Sequence, residues 1–305
     1  MHLSDIVRYD RERGAVLVSR WRPGEPRELA LADAADVASA LAQGGAADGD
    51  EALRLAVLGL ALAARAGRGW PTDALRGALI QAGERLRAAW APAWDAAALS
   101  DGLAQADQAV VAGEDAEAAL LALADRMAQA SDRAAERCGR HTADLLDDGD
   151  RVLLLPLGGR PLAWAVRAAV QHGRSVQLAV PAGMAESEGA RRLADWALAG
   201  GELQPLDDWS GASICLVEAV SVAPGGEVAL QPGGREAVAR ARQHMPVYAL
   251  APGGPRGEAL PAGDETAAPA EISAIVTSRG IYRPEMVWRH HSDSDAPLDV
   301  IPLLP

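Results

Sequence analysis

The spacing of apolar residues changes character along this chain. In residues 1–30, IVRYD and GAVLVSRW flank RERG. These short alternating stretches around a glycine-containing turn predict a β-hairpin. From about 31 to 146, apolar residues recur every three or four positions. The pattern runs through ALADAADVASALAQ, DEALRLAVLGLALAARAG, TDALRGALIQAGERLRAAW and EDAEAALLALADRMAQASDRAAERCGRHTADLL. That spacing gathers them on one face of a helix, so a helical region is predicted. Gly67, Pro71 and Pro92 punctuate it, and Thr72 with Asp73 supplies a helix start after Pro71.

The acidic turn Asp147-Asp148-Gly149-Asp150 ends this regime. After it, wholly apolar stretches alternate with helical ones. The order is RVLLLPL, a helix over 161–172, SVQLAV, a helix over 186–199, LQPL, SICLV, a helix over 234–244, VYALA and finally AIVT. Short apolar strands between helices predict a parallel sheet covered on both faces. The expected fold is therefore α/β. A small N-terminal β-plus-helical domain, 1–147, precedes a Rossmann-like domain with a mostly parallel sheet, 148–305. Residues 224–234 and 252–270, rich in Pro, Gly and Ala, are expected to be long loops.

Composition narrows the partners. With 49% hydrophobic and 23% charged residues, the 305-residue chain is of globular type. Lys, Phe and Asn are absent, as a GC-rich genome would produce. A formal charge of −13 argues against a nucleic-acid partner, which needs clustered cations. The apolar run 55–64 is too short to span a bilayer, so no membrane partner is expected. Residues 1–10 lack a basic start followed by an apolar stretch, so a cytoplasmic protein without a leader is expected. Cys138 and Cys215 are expected to be buried thiols. The eight tryptophans, among them Trp90, Trp94, Trp164, Trp196 and Trp209, are expected in core or interface.

Few residues suggest chemistry. Gly158-Gly159-Arg160 follows the first strand of the expected sheet and opens a helix. Backbone N–H groups there favour an anion, and Arg160 is placed to pair with it. The plainer reading is a tight strand-to-helix turn with an exposed arginine. Asp207-Asp208 reads as a solvated turn. His290 and His291, with Asp293 and Asp295, suggest a metal only weakly, because adjacent histidines diverge in most backbones; tail disorder or surface packing is expected instead. No metal and no cofactor are expected.

Residues 269–284, PAEISAIVTSRGIYRP, resemble the closing signature of one family. It comprises the methylthioribose-1-phosphate isomerases and the alpha, beta and delta regulatory subunits of translation initiation factor 2B. The matching positions are Pro269, Ile272 to Val276, Thr277, Gly280, Arg283 and Pro284. Gly139-Arg140-His141, Glu188-Gly189-Ala190-Arg191 with Trp196, the stretch from Ala241 to Tyr248, and Gly59 to Ala64 resemble further elements in the family's order. The resemblance implies the two-domain fold above and a homodimer.

It also implies that the isomerase chemistry is missing. Where the family pattern has a Cys after the first strand of the second domain, this chain has Leu154-Leu155-Pro156-Leu157. Where it has an Asp after a later strand, the chain has Val217-Glu218-Ala219-Val220. Neither Pro156 nor Val220 can move a proton. The pattern's Asn-Lys pair aligns with Leu230-Gln231. Its phosphate-binding Arg-Gly-Ala-Pro aligns with Ala47-Asp48-Gly49-Asp50, and a second arginine would fall near Ala91. The stretch from Pro156 to Arg167 is short, as in the initiation-factor subunits. Glu188, Glu218 and Ser221 fall where the family's cleft would lie, as a repurposed polar pocket or as a solvated rim; Trp164 is a candidate to fill that cleft. Three readings follow from the resemblance. The first is a diverged, catalytically silent binding or regulatory protein for a small phosphorylated or acidic metabolite. The second is an active aldose–ketose isomerase on a sugar 1-phosphate, in methionine salvage or a related path, with Glu218, Glu188 or Asp208 taking over proton transfer. The third is a structural assembly subunit.

Overall fold

The computed structural model describes residues 2–19, 28–43, 49–89, 96–155, 159–184, 193, 203–255 and 265–291. The helix expected over 186–199 therefore lies outside the described residues except for Leu193. So do Ala47, Asp48, Ala91, Pro156, Gly158, Glu188, Trp90, Trp94, Trp196, Asp293 and Asp295. The chain divides into two compact units, one of His2–Ser131 and a second that begins at Asp132.

The first unit opens with a short helix α1 (Leu3–Ile6), then the expected hairpin of β1 (Val7–Asp10) and β2 (Ala15–Ser19). A third strand, β3 (Glu28–Leu31), extends it to an antiparallel sheet in the order β1-β2-β3. Helices α2 (Ala34–Ala42), α3 (Gly49–Ala66), α4 (Thr72–Ala89), α5 (Ala96–Ala112) and the first part of α6 (Ala116–Ala143) follow. Asp33 caps α2 by accepting from the N–H groups of Ala35 and Asp36, both at 2.8 Å. Residues 51–62 of α3 are buried on every side, as its nearly unbroken apolar sequence requires. Arg54 on that helix is buried too, and it donates to the carbonyls of Val7 and Ala124 and to the Asp125 carboxylate.

In the second unit the main sheet has seven strands among the described residues. Its strands are β4 (Arg151–Leu155), β5 (Gln177–Pro181), β6 (Gln204–Leu206), β7 (Ile214–Glu218), β10 (Val247–Leu250), β12 (Ala274–Thr277) and β13 (Gly280–Tyr282). Their spatial order is β13-β12-β10-β7-β4-β5-β6. All neighbours run parallel except β12 and β13. Helices α7 (Arg160–Gln171) and α8 (Gly234–Ala241) belong to the crossovers. Alternate residues of each strand enter different cores. Leu153, Leu155, Cys215, Val217 and Ile275 pack on one side. Val152, Leu154, Ile214, Leu216 and Val276 pack on the other. Burial on both faces is why these strands read as continuous apolar runs.

Two expectations need correction. The loops expected at 224–234 and 252–270 contain strand residues: β9 (Val228–Ala229) and β11 (Thr266–Ala267) form a small antiparallel sheet with β8 (Ser221–Val222). The AIVT strand is also not the last, since the turn after Thr277 returns the chain as the antiparallel edge strand β13. Among the described residues no helix is long and apolar enough to cross a membrane.

Candidate functional site

From β4 the chain winds outward through β5 and β6, then returns to the other flank of β4 for β7, β10 and β12. The strand order thus reverses between β4 and β7. In open α/β sheets a crevice opens beyond the carboxyl ends of the strands at such a reversal. Here those ends are Leu155, followed by the start of α7, and Glu218, followed by the entry to β8.

Gly159 is the N-cap residue of α7 and is buried. A β-carbon built on it would coincide with the Glu218 carboxylate, so these two sequence-distant positions meet only because residue 159 lacks a side chain. Arg160 is the first residue of α7 and is only 2% exposed, not the exposed arginine of the plainer reading. Its guanidinium donates to Asp132 of α6 at 2.9 Å, and that carboxylate is 14% exposed. The side chain is therefore held by an ion pair inside the unit.

Beyond Glu218, the Val220 N–H donates to the Ala229 carbonyl at 2.9 Å. Ser221 is buried and pairs with Ala229 in the small sheet. Val220 and Ser221 thus lead the chain into the small antiparallel sheet. Trp164 lies one turn along α7 from Arg160, with its β-carbon against Gly139 of α6 and the Arg167 guanidinium 5.4 Å from its ring centroid.

The remaining candidates are placed elsewhere. Asp208 precedes the amino end of β7, the opposite end from Glu218. Its carboxylate accepts from the Ser210 N–H at 3.0 Å and the Ser210 hydroxyl at 2.9 Å, and these bonds lower its pKa. Both thiols are fully buried, and burial pushes each well above the ordinary thiol range. Cys138 sits on α6 with its sulfur 3.3 Å from the Val276 carbonyl, and Cys215 faces the core from inside β7. Among the described residues no cluster of His, Cys, Asp and Glu could hold a metal.

For one of the two histidines, His290, the expected disorder or surface packing is corrected by the structure. His290 is 5% exposed, and its Nδ1 lies 2.9 Å from the Thr277 hydroxyl. That hydroxyl already donates to the Gly280 carbonyl and accepts from the Arg279 N–H, so the imidazole is the donor. His291 is exposed, with Nε2 2.7 Å from the carbonyl of the buried Pro255. Sequence reasoning also missed Glu265. Its two oxygens accept from the N–H groups of Gly233, at 2.7 Å, and Arg235, at 3.2 Å, at the start of α8. Those bonds hold its carboxyl below the usual range. No sequence signal marked it, since it ends a stretch that reads only as loop.

No family profile and no curated protein sequence matches the chain. Solved structures do. The 5-methylthioribose 1-phosphate isomerase of Pyrococcus horikoshii OT3 superposes with a TM-score of 0.71 and 17% identity, over 94% of this chain and 94% of that one. The delta subunit of translation initiation factor eIF-2B from A. fulgidus gives 0.65 and 21%, over 92% of this chain and 96% of that one. The tetrameric eIF2B-beta2-delta2 complex from C. thermophilum gives 0.58 and 15%, over 85% and 94%. At these identities the likeness is one of fold: the chain has the mixed α/β fold of these isomerase and initiation-factor structures.

Proposed function

We propose that this chain is a binding or regulatory protein built on that fold and that it does not catalyse isomerisation. The observation that carries the reading is the set of ionisable side chains at the carboxyl ends of β4 and β7. Among the described residues 159–160 and 218–221 they are Arg160 and Glu218. A guanidinium stays protonated at any working pH, so it cannot shuttle a proton. That leaves one carboxylate where aldose–ketose isomerisation needs an acid and a base, each within hydrogen-bond reach of the proton it handles. Val220 adds no such group, and the two buried thiols are held in their neutral form.

The proposal includes a homodimer, as the resemblance implied, and a cytoplasmic location, as the sequence reading expected. The likeness to a subunit of a tetrameric complex is compatible with self-association. The test is an isomerase assay of the full chain on methylthioribose 1-phosphate and ribose 1,5-bisphosphate. No turnover above the uncatalysed rate is expected. Turnover that disappears in Glu218→Gln would overturn the proposal and restore the isomerase reading, with Glu218 as its base.

A further inference from the structure

Past Asp132, α6 turns one row of charged side chains to solvent. Arg133, Arg137 and Arg140 recur at four- and three-residue spacing, which puts them on one helix face, and all three are exposed. The helical turn runs on past Ala143: the Asp144 N–H donates to the Arg140 carbonyl at 3.3 Å, so the exposed Asp144 continues the row. Asp147 follows, exposed, in the turn before β4. The row therefore changes sign along its length. Only Arg140 lies in the last turn of α6, where a helix end favours a cation, so the helix dipole does not account for Arg133 and Arg137. Arg140 is matched by Glu136 of the preceding turn. Among the described residues, the side chains of Arg133, Arg137, Asp144 and Asp147 make no ion pair and no hydrogen bond. Opposite charges on one face are thus left unmatched within the chain.

From this row we infer that a second copy of the chain docks here, antiparallel, about a two-fold axis that crosses the row near Arg140. This rests on the homodimer of the reading above and adds the face through which it forms. In a two-fold dimer the same patch meets itself, so that residue i meets j while j meets i. A row that is positive at one end and negative at the other is complementary to its own antiparallel copy. Arg137 and Arg133 of one protomer come opposite Asp144 and Asp147 of the partner subunit, and the same pairs recur across the axis. Arg140, near the axis, is already neutralised by Glu136. The chain carries a formal charge of −13, so two copies repel at long range, and the face on which they meet has to set cations against anions. From Arg133 to Arg140 the helix rises about 10 Å, close to one screening length in physiological salt. Each exposed pair is weak alone, and the row chiefly fixes orientation and register. His141 and Leu145, half-buried beside the row, give the contact some apolar area.

The test is analytical ultracentrifugation of the full chain. The wild type is expected to self-associate at low salt and more weakly at high salt, because screening acts on exposed pairs. Two charge-reversed variants are compared with it. One carries Arg133→Glu and Arg137→Glu, the other Asp144→Arg and Asp147→Arg. The altered side chains hold nothing else in the chain, so circular dichroism should match the wild type. Each variant alone is expected to self-associate about tenfold more weakly, or worse, since both ends of its row then carry one sign. Mixed in equal amounts, the two variants are expected to pair with each other, because a negative row then meets a positive one. A wild-type dimer indifferent to salt overturns the inference. So does a variant that dimerises as the wild type does, or a mixture that stays monomeric; each leaves the homodimer standing through another face. A monomeric wild type removes this inference and the homodimer together, while the absence of isomerase turnover is judged by its own assay.

Discussion

One substitution, glycine to alanine, should have opposite signs at two helical positions. Gly139 lies within α6, and a β-carbon there would stand 2.8 Å from both the Ala165 nitrogen and the Trp164 carbonyl carbon of α7, with the Trp164 β-carbon nearer still. Comfortable contact for such atoms is about 3.5–4 Å. The obstruction is mostly helix backbone, which cannot rotate aside, so α6 and α7 must separate by roughly 1 Å. Overpacking of this kind costs about 1–3 kcal/mol. Alanine's better helix propensity returns about 1 kcal/mol. Gly139→Ala should thus lose up to about 2 kcal/mol. Gly77 in α4 has nothing within 4 Å of a built β-carbon, so only the propensity term acts. Gly77→Ala should gain up to about 1 kcal/mol. Urea unfolding followed by tryptophan fluorescence and by far-ultraviolet circular dichroism reads both. Gly77 belongs to the first unit and Gly139 to the second, so each change should move its own unit's transition if the two separate. If Gly139→Ala stabilises as much as Gly77→Ala, the close approach of α6 and α7 is refuted.

Two further outcomes follow from charge and burial. Arg160→Met and Asp132→Asn should each destabilise by about 3 kcal/mol, because each leaves an ionic partner behind in a buried setting. The double variant should lose markedly less than the sum. The corresponding cycle on Arg76 and Asp107, whose side chains are 41% and 43% exposed, should read a much smaller coupling because solvent screens it; equal couplings in the two cycles would contradict the burial of Arg160. His141, half-buried near the end of α6, has its pKa lowered chiefly by burial, with Arg137 and Arg140 adding and Asp144 opposing. The unfolded chain takes up that proton near pH ~6.5, and the folded chain does so at lower pH. Stability from this site is complete above the unfolded pKa and is lost as pH falls through the folded one. His141→Gln should flatten that part of the curve of urea midpoint against pH, and an unchanged slope would show that His141 is solvated.

The legible parts of the fold were those whose burial leaves a period in the sequence. β4, β7, β10 and β12 have core on both faces, so they appear as runs without polar interruption. α3 stands out for the same reason, and the first hairpin was marked by RERG between alternating strands. β8, β9 and β11 have two residues each, too few for a period to register, and they sit among the glycines and prolines that ordinarily signal loop. β13 has three residues and was hidden inside the Thr277-to-Pro284 signature. The short α1 ran on into β1 with no breaker between them. The site was less legible than the fold, because its defining contacts join residues far apart in the chain. Nothing near Gly159 announces Glu218, nothing near Arg160 announces Asp132, and Glu265 lies in a stretch of ordinary loop composition.

The closing signature was the most readable feature and the least informative about chemistry, and its contacts explain why. Thr277 is fully buried and serves Gly280, Arg279 and His290 with one hydroxyl. Valine at 277 would keep the shape and lose all three bonds. Ile272, Ile275 and Tyr282 of the same stretch enter one core and Val276 the other. A change at any of these positions disturbs several partners at once, so the signature belongs to the fold. Glu218, by contrast, is the last residue of β7 and only partly buried, so a substitution there disturbs fewer core partners. On the proposed reading, this chain keeps the whole signature and the whole sheet and lacks the proton-transfer pair. The closing motif identifies the scaffold, and reaction or its absence must be read from the ends of β4 and β7.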